Sequence, residues 1–186
     1  MATLPTEILE DEHKLIMRVV DALKVFAENM EDGWEVDEET LVDIIEFMRV
    51  FAQKWHHAKE EDALFPALVK RGVPRVGCPL VQLKNEHKKS NNYVAELVQS
   101  MELYRRSGVE GWTDVIQGLK NLYLYYPNHI WKEENMLFPM TNRLLLPEDQ
   151  QQLLAEFERI DALHGQKLHD RLEQFALRLE KQTFGD

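Results

Sequence analysis

The chain has 186 residues, of which 44% are hydrophobic and 30% are charged, enough for one domain with a core of its own. A formal net charge of −11 argues against nucleic acid and anionic membranes as partners, because both require clustered lysine and arginine. The single cysteine, Cys78, excludes an internal disulfide and lies in a predicted loop. The acidic stretch before His13 lacks the apolar run of a signal peptide, so a cytoplasmic location is expected.

Apolar residues recur at helical spacing in five blocks, and the alternation typical of strands is missing, so the chain is predicted to be all-α. The first block covers residues 5–30, and the second begins after Asp37 as N-cap. The third, fourth and fifth cover residues 79–104, 112–144 and 147–179.

Short connections favour antiparallel neighbours, so the first four blocks predict an up-down-up-down four-helix bundle over residues 1–145. The fifth block predicts a C-terminal helical extension over residues 146–186. This helix is expected to pack on the outside of the bundle or at the interface of a possible homodimer.

The chain contains an internal repeat. Residues 56–66 read HHAKEEDALFP and residues 129–139 read HIWKEENMLFP, so both fit HxxKEExxLFP. Upstream, Glu12-His13-Lys14 is repeated as Glu86-His87-Lys88. In HxxxE the His and Glu project from one helix face, and imidazole nitrogen with carboxylate oxygen suits iron, manganese or zinc. The proline that ends each copy, Pro66 or Pro139, is expected to kink or end its helix.

The predicted turns place the repeated residues at one level. The midpoint of His13 and His56 along the chain falls beside Gly33. Position 58, halfway between His56 and Glu60, and His87 have their midpoint beside Gly72. The midpoint of His87 and His129 is Gly108. Antiparallel helices folded about those turns bring six residues together, roughly 30 Å from the first and third turns. These residues are His13, His56, Glu60, His87, His129 and Glu133.

This ligand count indicates two metals, because six protein ligands are too many for one catalytic zinc. Two His on each metal with both carboxylates bridging give four protein ligands per metal. A bridging oxo or hydroxo group would be a fifth ligand and would leave one place open for a small molecule.

HxxxE on the second and fourth helices, a lone His on the first and third, and the EExxLFP tail together resemble the hemerythrin or HHE cation-binding family. The resemblance covers about residues 5–145, and the last helix is similar to an extension of some longer bacterial members. It implies a non-haem di-iron centre that binds dioxygen or a related diatomic, held by the six residues above with Glu60 and Glu133 bridging. Zinc or manganese could substitute for iron.

One departure from the family bears on function. Oxygen-carrying hemerythrins place a further His four residues from the one on the third helix, where this chain has Leu83 and Asn91. The set of four His and two Glu is similar instead to hemerythrin-like iron sensors and to di-iron proteins of iron–sulfur cluster repair.

Other residues compete for the site. His57 and Glu61 also form an i, i+4 pair but lie about 100° round the helix from His56 and Glu60, and Ile130 replaces His57 in the second copy. Glu61 and Glu134 are therefore expected as outer or surface acids. Four apolar residues are expected to form a floor under the metals: Leu64, Phe65, Leu137 and Phe138. Tyr125 and Tyr126 are expected to reach toward the site.

The leading hypothesis is a binding protein that senses, scavenges or stores oxygen or iron. The alternative is a di-iron oxidoreductase acting on nitric oxide or peroxide, or an iron donor in iron–sulfur cluster repair. A third interpretation is that the metals only stabilise the bundle.

Overall fold

The computed structural model describes residues 3–34, 36–76, 79–107 and 110–185, and its regular structure within these ranges is entirely helical. The predicted loop at Cys78 and the predicted turn at Gly108 lie outside the described residues. No helix in the described ranges is long and apolar enough to cross a membrane.

Four long helices form the bundle. Helix α1 spans Pro5–Glu31 and α3 spans Pro79–Ser107. Helix α2 is continuous and consists of Glu38–Phe47, the π-helical segments Met48–His56 and Lys59–Leu64, and Phe65–Lys70. Helix α4 consists of Trp112–Lys132, π-helical Glu133–Leu137 and Phe138–Leu144. Helices α1 and α3 each pack against α2 and α4, so the predicted all-α bundle is confirmed.

The turns form where the sequence predicts them. Gly33 at the end of α1 and Gly72 after α2 have φ values of 84° and 91°, a left-handed conformation that glycine adopts without steric cost. Asp37 caps α2 as predicted, since its side chain accepts a hydrogen bond from the Thr40 N–H at 3.0 Å.

The C-terminal block forms two helices where the sequence predicts one. Helix α5 spans Pro147–His164 and α6 spans Gln166–Phe184. Gly165 separates them with a φ of 83°, and its N–H donates to the Asp161 carbonyl at 3.1 Å. Helix α6 packs along α1, and α5 packs on the π-helical part of α2. The apolar stripe predicted for one helix is therefore divided between these two helices. The domain division at residue 145 and the homodimer stay predictions.

Neither repeat proline ends its helix. A π turn precedes each one, because the Phe65 N–H donates to the Glu60 carbonyl and the Phe138 N–H to the Glu133 carbonyl, five residues back. A proline ring in a regular α-helix clashes with the carbonyl four residues earlier, and a wider turn relieves that clash. Glu60 and Glu133, the two glutamates predicted as metal ligands, therefore each begin a π turn.

Buried apolar residues form two clusters with the repeated polar residues between them. On α1, Leu9 belongs to one cluster and Ile16 to the other, and His13 lies between them. On α4, Ile130 and Leu137 occupy the same two clusters on either side of Glu133. The polar layer is thus enclosed by hydrophobic core above and below.

Replacing Gly111 with Ala is expected to destabilise the fold more than the same change at Gly72. Both glycines have φ near 90°, so each alanine carries a backbone cost of about 1–2 kcal/mol. At Gly111 the new Cβ would also lie 2.6 Å from the Tyr104 backbone nitrogen, whereas at Gly72 it meets nothing within 4 Å. Overpacking adds about 1–3 kcal/mol, which urea unfolding would resolve, and equal losses at both positions would contradict the close approach.

Candidate metal centre

The six side chains that the sequence predicts as ligands lie together inside the bundle. Each is at most 1% exposed. One potential ligand atom from each of His13, His56, Glu60 and Glu133 lies within 4.8 Å of the other three. The His87 and His129 ring nitrogens complete the layer through contacts with the two carboxylates.

Glu133 reaches both halves of this layer. Its Oε2 lies 3.2 Å from His13 Nε2, while its Oε1 lies 3.1 Å from His129 Nε2 and 3.4 Å from His87 Nε2. A carboxylate with one oxygen beside His13 and the other beside His87 and His129 has the geometry to contact two cations.

Glu60 is the second central carboxylate. Its Oε2 lies 3.2 Å from His87 Nε2 and 3.9 Å from His56 Nε2, yet neither of its oxygens has a hydrogen-bond partner. A buried carboxylate without a hydrogen bond is costly, and a metal ion or a proton shared with an imidazole removes that cost. The donor set therefore fits cations held between the four imidazoles.

Each of the four histidines also donates its Nδ1–H to an outer carboxylate. The pairs are His13 with Glu134 at 3.0 Å, His56 with Glu12 at 2.9 Å, His87 with Glu61 at 2.8 Å and His129 with Glu86 at 3.1 Å. Such bonds fix the tautomer and turn Nε2 toward the centre, as is usual for metal-bound histidine. The structure places Glu61 and Glu134 as outer acids, as the sequence predicts.

The roles of Glu12 and Glu86 were not predicted, although both belong to the repeated Glu-His-Lys triplet. The repeat lysines hold them. Lys132 Nζ donates to Glu86 Oε1 at 2.6 Å, and Lys59 Nζ donates to Glu12. The internal repeat therefore describes a site with an inner and an outer layer, in which each lysine orients a carboxylate and that carboxylate orients a histidine.

The two halves differ at the lysines. Lys59 is 1% exposed and also bonds Asp161 of α5 at 2.7 Å, and Asp161 accepts a hydrogen bond from the Trp55 indole as well. Lys132 is 26% exposed, and the ion pair that the structure gives it is to Glu86. The C-terminal helices thus cover the first half of the site.

The charges of the site are set by these pairs. Burial acts to lower the pKa of His13, but hydrogen bonds to Glu133 and Glu134 outweigh it and raise the pKa to about 9. Burial likewise acts against the charged form of His87, yet Glu133, Glu60 and Glu61 raise its pKa well above the ordinary value. Burial would raise the pKa of Glu133, but His129, His13 and His87 hold it well below its usual range.

Aromatic rings line the layer. Phe138 stacks on His13 with ring centroids 5.4 Å apart, and Phe65 stacks on His87 at 6.0 Å, in matching positions of the repeat. Tyr125 stacks on His129 at 5.2 Å. The Tyr126 hydroxyl forms a hydrogen bond with Ser90 at 2.8 Å, which engages it away from the carboxylates.

His57 lies in the site, contrary to its expected position on another face of α2. It is 4% exposed and stacks on His87 with ring centroids 3.9 Å apart. The backbone N–H of His57 donates to the Ala52 carbonyl five residues back, so α2 is π-helical here. Consecutive residues of a π-helix turn through less than the α-helical angle of about 100°. Burial first, then the neighbouring His87 and His56, lower the pKa of His57 well below its ordinary value.

An open cleft of about 410 Å³ lies beside the second half of the site. It is lined by Glu86, Tyr125, His129 and Lys132 together with other residues of α3 and α4. His129, itself 1% exposed, forms part of the wall of this cleft, so the second half of the site lies next to solvent.

A family model described as the hemerythrin HHE cation-binding domain matches residues 4–141. The match begins just before α1 and ends within the last turn of α4, before α5. No curated protein and no solved structure matches the chain.

Proposed function

The chain belongs to the hemerythrin HHE cation-binding family, and on that premise we propose that it holds two iron ions and binds dioxygen or a related diatomic molecule. The proposed ligands are His13, His56, Glu60, His87, His129 and Glu133. The proposed role is sensing, scavenging or storage of oxygen or iron.

The observation that carries this proposal is the central carboxylate pair. Glu60 and Glu133 are fully buried, and several of their oxygens have no hydrogen-bond partner. Four imidazole Nε2 atoms surround them, each ring held in place through its Nδ1. Two negative charges inside a protein core require compensation by cations, and imidazole with carboxylate is a donor set that suits divalent iron.

The surrounding residues adapt the site to a small ligand. When bound, ferrous iron supplies the electrons and an exchangeable position for a diatomic molecule. Phe65 and Phe138, both at most 6% exposed, keep bulk water from the layer. The carboxylates on the Nδ1 atoms raise the basicity of the imidazoles and hold their orientation.

Reconstitution with ferrous iron tests the proposal. Chelated protein incubated anaerobically with iron(II) is expected to retain about two iron ions per chain and to change its visible absorption when oxygen is admitted. Zinc-loaded protein is the matched control, because zinc has no redox chemistry and must give no oxygen response. Failure to retain iron, or retention without any response to oxygen, would contradict the proposal.

The alternative is turnover of nitric oxide or peroxide, and the cleft beside His129 is the observation that favours it. A volume of about 410 Å³ exceeds what a diatomic molecule needs and could admit a reductant. Repeated consumption of nitric oxide or peroxide by the iron-loaded protein with a reductant present would identify an enzyme. A single stoichiometric reaction per site would favour the binding protein.

A further inference from the structure

We propose that His57 is a seventh ligand, which completes a three-histidine face with His87 and His129 and makes the two metal positions inequivalent. This proposal rests on the proposed metal pair. It adds a ligand that the internal repeat does not carry, because Ile130 stands at the corresponding position of α4.

The first argument is the state of the imidazole itself. Both ring nitrogens of His57 are buried and neither has a hydrogen-bond partner. Buried polar atoms are nearly always paired, so an imidazole with two unpaired nitrogens beside a carboxylate–histidine cluster indicates a missing ligand. The other four histidines of the layer have an outer carboxylate, and His57 has none among the described residues.

The second argument is position. One ring nitrogen from each of His57, His87 and His129 lies within 4.8 Å of the other two. A separate group of the same kind consists of His13, His56, Glu60 and Glu133. The histidines therefore divide into a set of three and a set of two, with Glu133 facing both sets.

This division would determine on which side of the site a small molecule binds. The side of His57, His87 and His129 would offer three imidazoles to a cation, and the side of His13 and His56 would offer two. The side with fewer imidazoles would leave more room for a small molecule. With four histidines alone, the two sides would offer equal numbers of imidazoles.

Substitution of His57 by Ile, the residue that the repeat places at Ile130, tests the assignment. The wild-type protein is expected to bind two ferrous ions and to give two distinct Mössbauer doublets of equal area. In H57I one doublet should keep its parameters while the other shifts, and one of the two ions should bind at least about 10-fold more weakly. The control is H164A, which removes a histidine outside the layer. It loses a hydrogen bond to the Lys54 carbonyl and a ring contact with Trp55, and it should change neither quantity.

The substitution H57F removes both nitrogens but keeps a ring against His87, so it separates ligation from packing. Unchanged affinities and spectra in H57I and H57F would overturn the proposal and leave His57 as a packing residue. A measurement on the unchanged chain guards against misfolding of the variants. Ring-nitrogen NMR of the zinc-loaded protein should show five of the seven histidines ligated, and four would overturn the proposal. If wild-type protein binds no metal pair, the proposed function fails instead.

Discussion

Replacing Glu133 with Ala is expected to weaken binding of both metals, by more than about 100-fold, since the loss of an outer partner alone costs about 10–100-fold. The reason is geometric. One oxygen of Glu133 lies 3.2 Å from His13 Nε2 and the other lies 3.1 Å from His129 Nε2, so this single side chain serves both positions. Metal titration of the chelated variant, with helix content followed by circular dichroism, measures the effect.

Glu134 supplies the matched control, because it is the next residue on α4 and contacts the same histidine from outside. Its carboxylate accepts from His13 Nδ1 at 3.0 Å and is 38% exposed. Glu134→Gln is expected to weaken only the metal held by His13, by about 10–100-fold. If E133A retained two tightly bound metals, or if E134Q were equally damaging, the bridging role of Glu133 would be contradicted.

The bundle could be predicted from the sequence because its signals are local. Helical periodicity, the Asp37 cap and glycines at the turns all lie within a few residues of the features that they define. The predicted start of α1 at Pro5 and of α4 at Trp112 agree with the structure. The six-residue layer follows from the same turns, since antiparallel helices of known length fix which residues share a level.

The remaining features depend on tertiary geometry. His57 reaches the layer because α2 is π-helical, and a pattern read at about 100° per residue assigns it to another face. The break at Gly165 leaves the apolar stripe intact, so periodicity alone does not reveal it. The contact of Asp161 with Lys59 joins residues about one hundred positions apart, which no local pattern indicates.

The repeat and its departures together describe the site better than either alone. The repeated Glu-His-Lys and HxxKEE segments supply the proposed inner ligands and their outer acids in pairs. The two halves differ in two ways. Lys59 in the first half contacts Asp161 of α5, whereas Lys132 in the second half is partly exposed. His57 in the first copy of the repeat is replaced by Ile130 in the second. A duplicated hairpin accounts for the symmetry, and the residues that break it make the two halves of the site unlike.

Metal-free protein is expected to be most stable near pH 6.5. The folded pKa of His13, about 9, exceeds the ordinary 6.5, so its contribution is fully present below pH 6.5 and is lost as the pH rises through about 9. His87 is shifted in the same direction. The pKa of His57 is lowered instead, so the unfolded chain takes up its proton first and stability falls as the pH drops below 6.5.

Metal binding should show the opposite trend over the upper interval. His13 and His87 must lose the protons that Glu133 stabilises before they can bind a cation, so affinity rises between about pH 6.5 and 9. The stabilisation by metal, measured as the difference in melting temperature between loaded and chelated protein, is therefore expected to grow across this range. The variant H13A should flatten the decline of the chelated protein. Chelated protein whose stability stayed level or rose from pH 6.5 to 9 would contradict a proton-filled His–Glu cluster, because that cluster stabilises the fold only while the imidazoles remain charged.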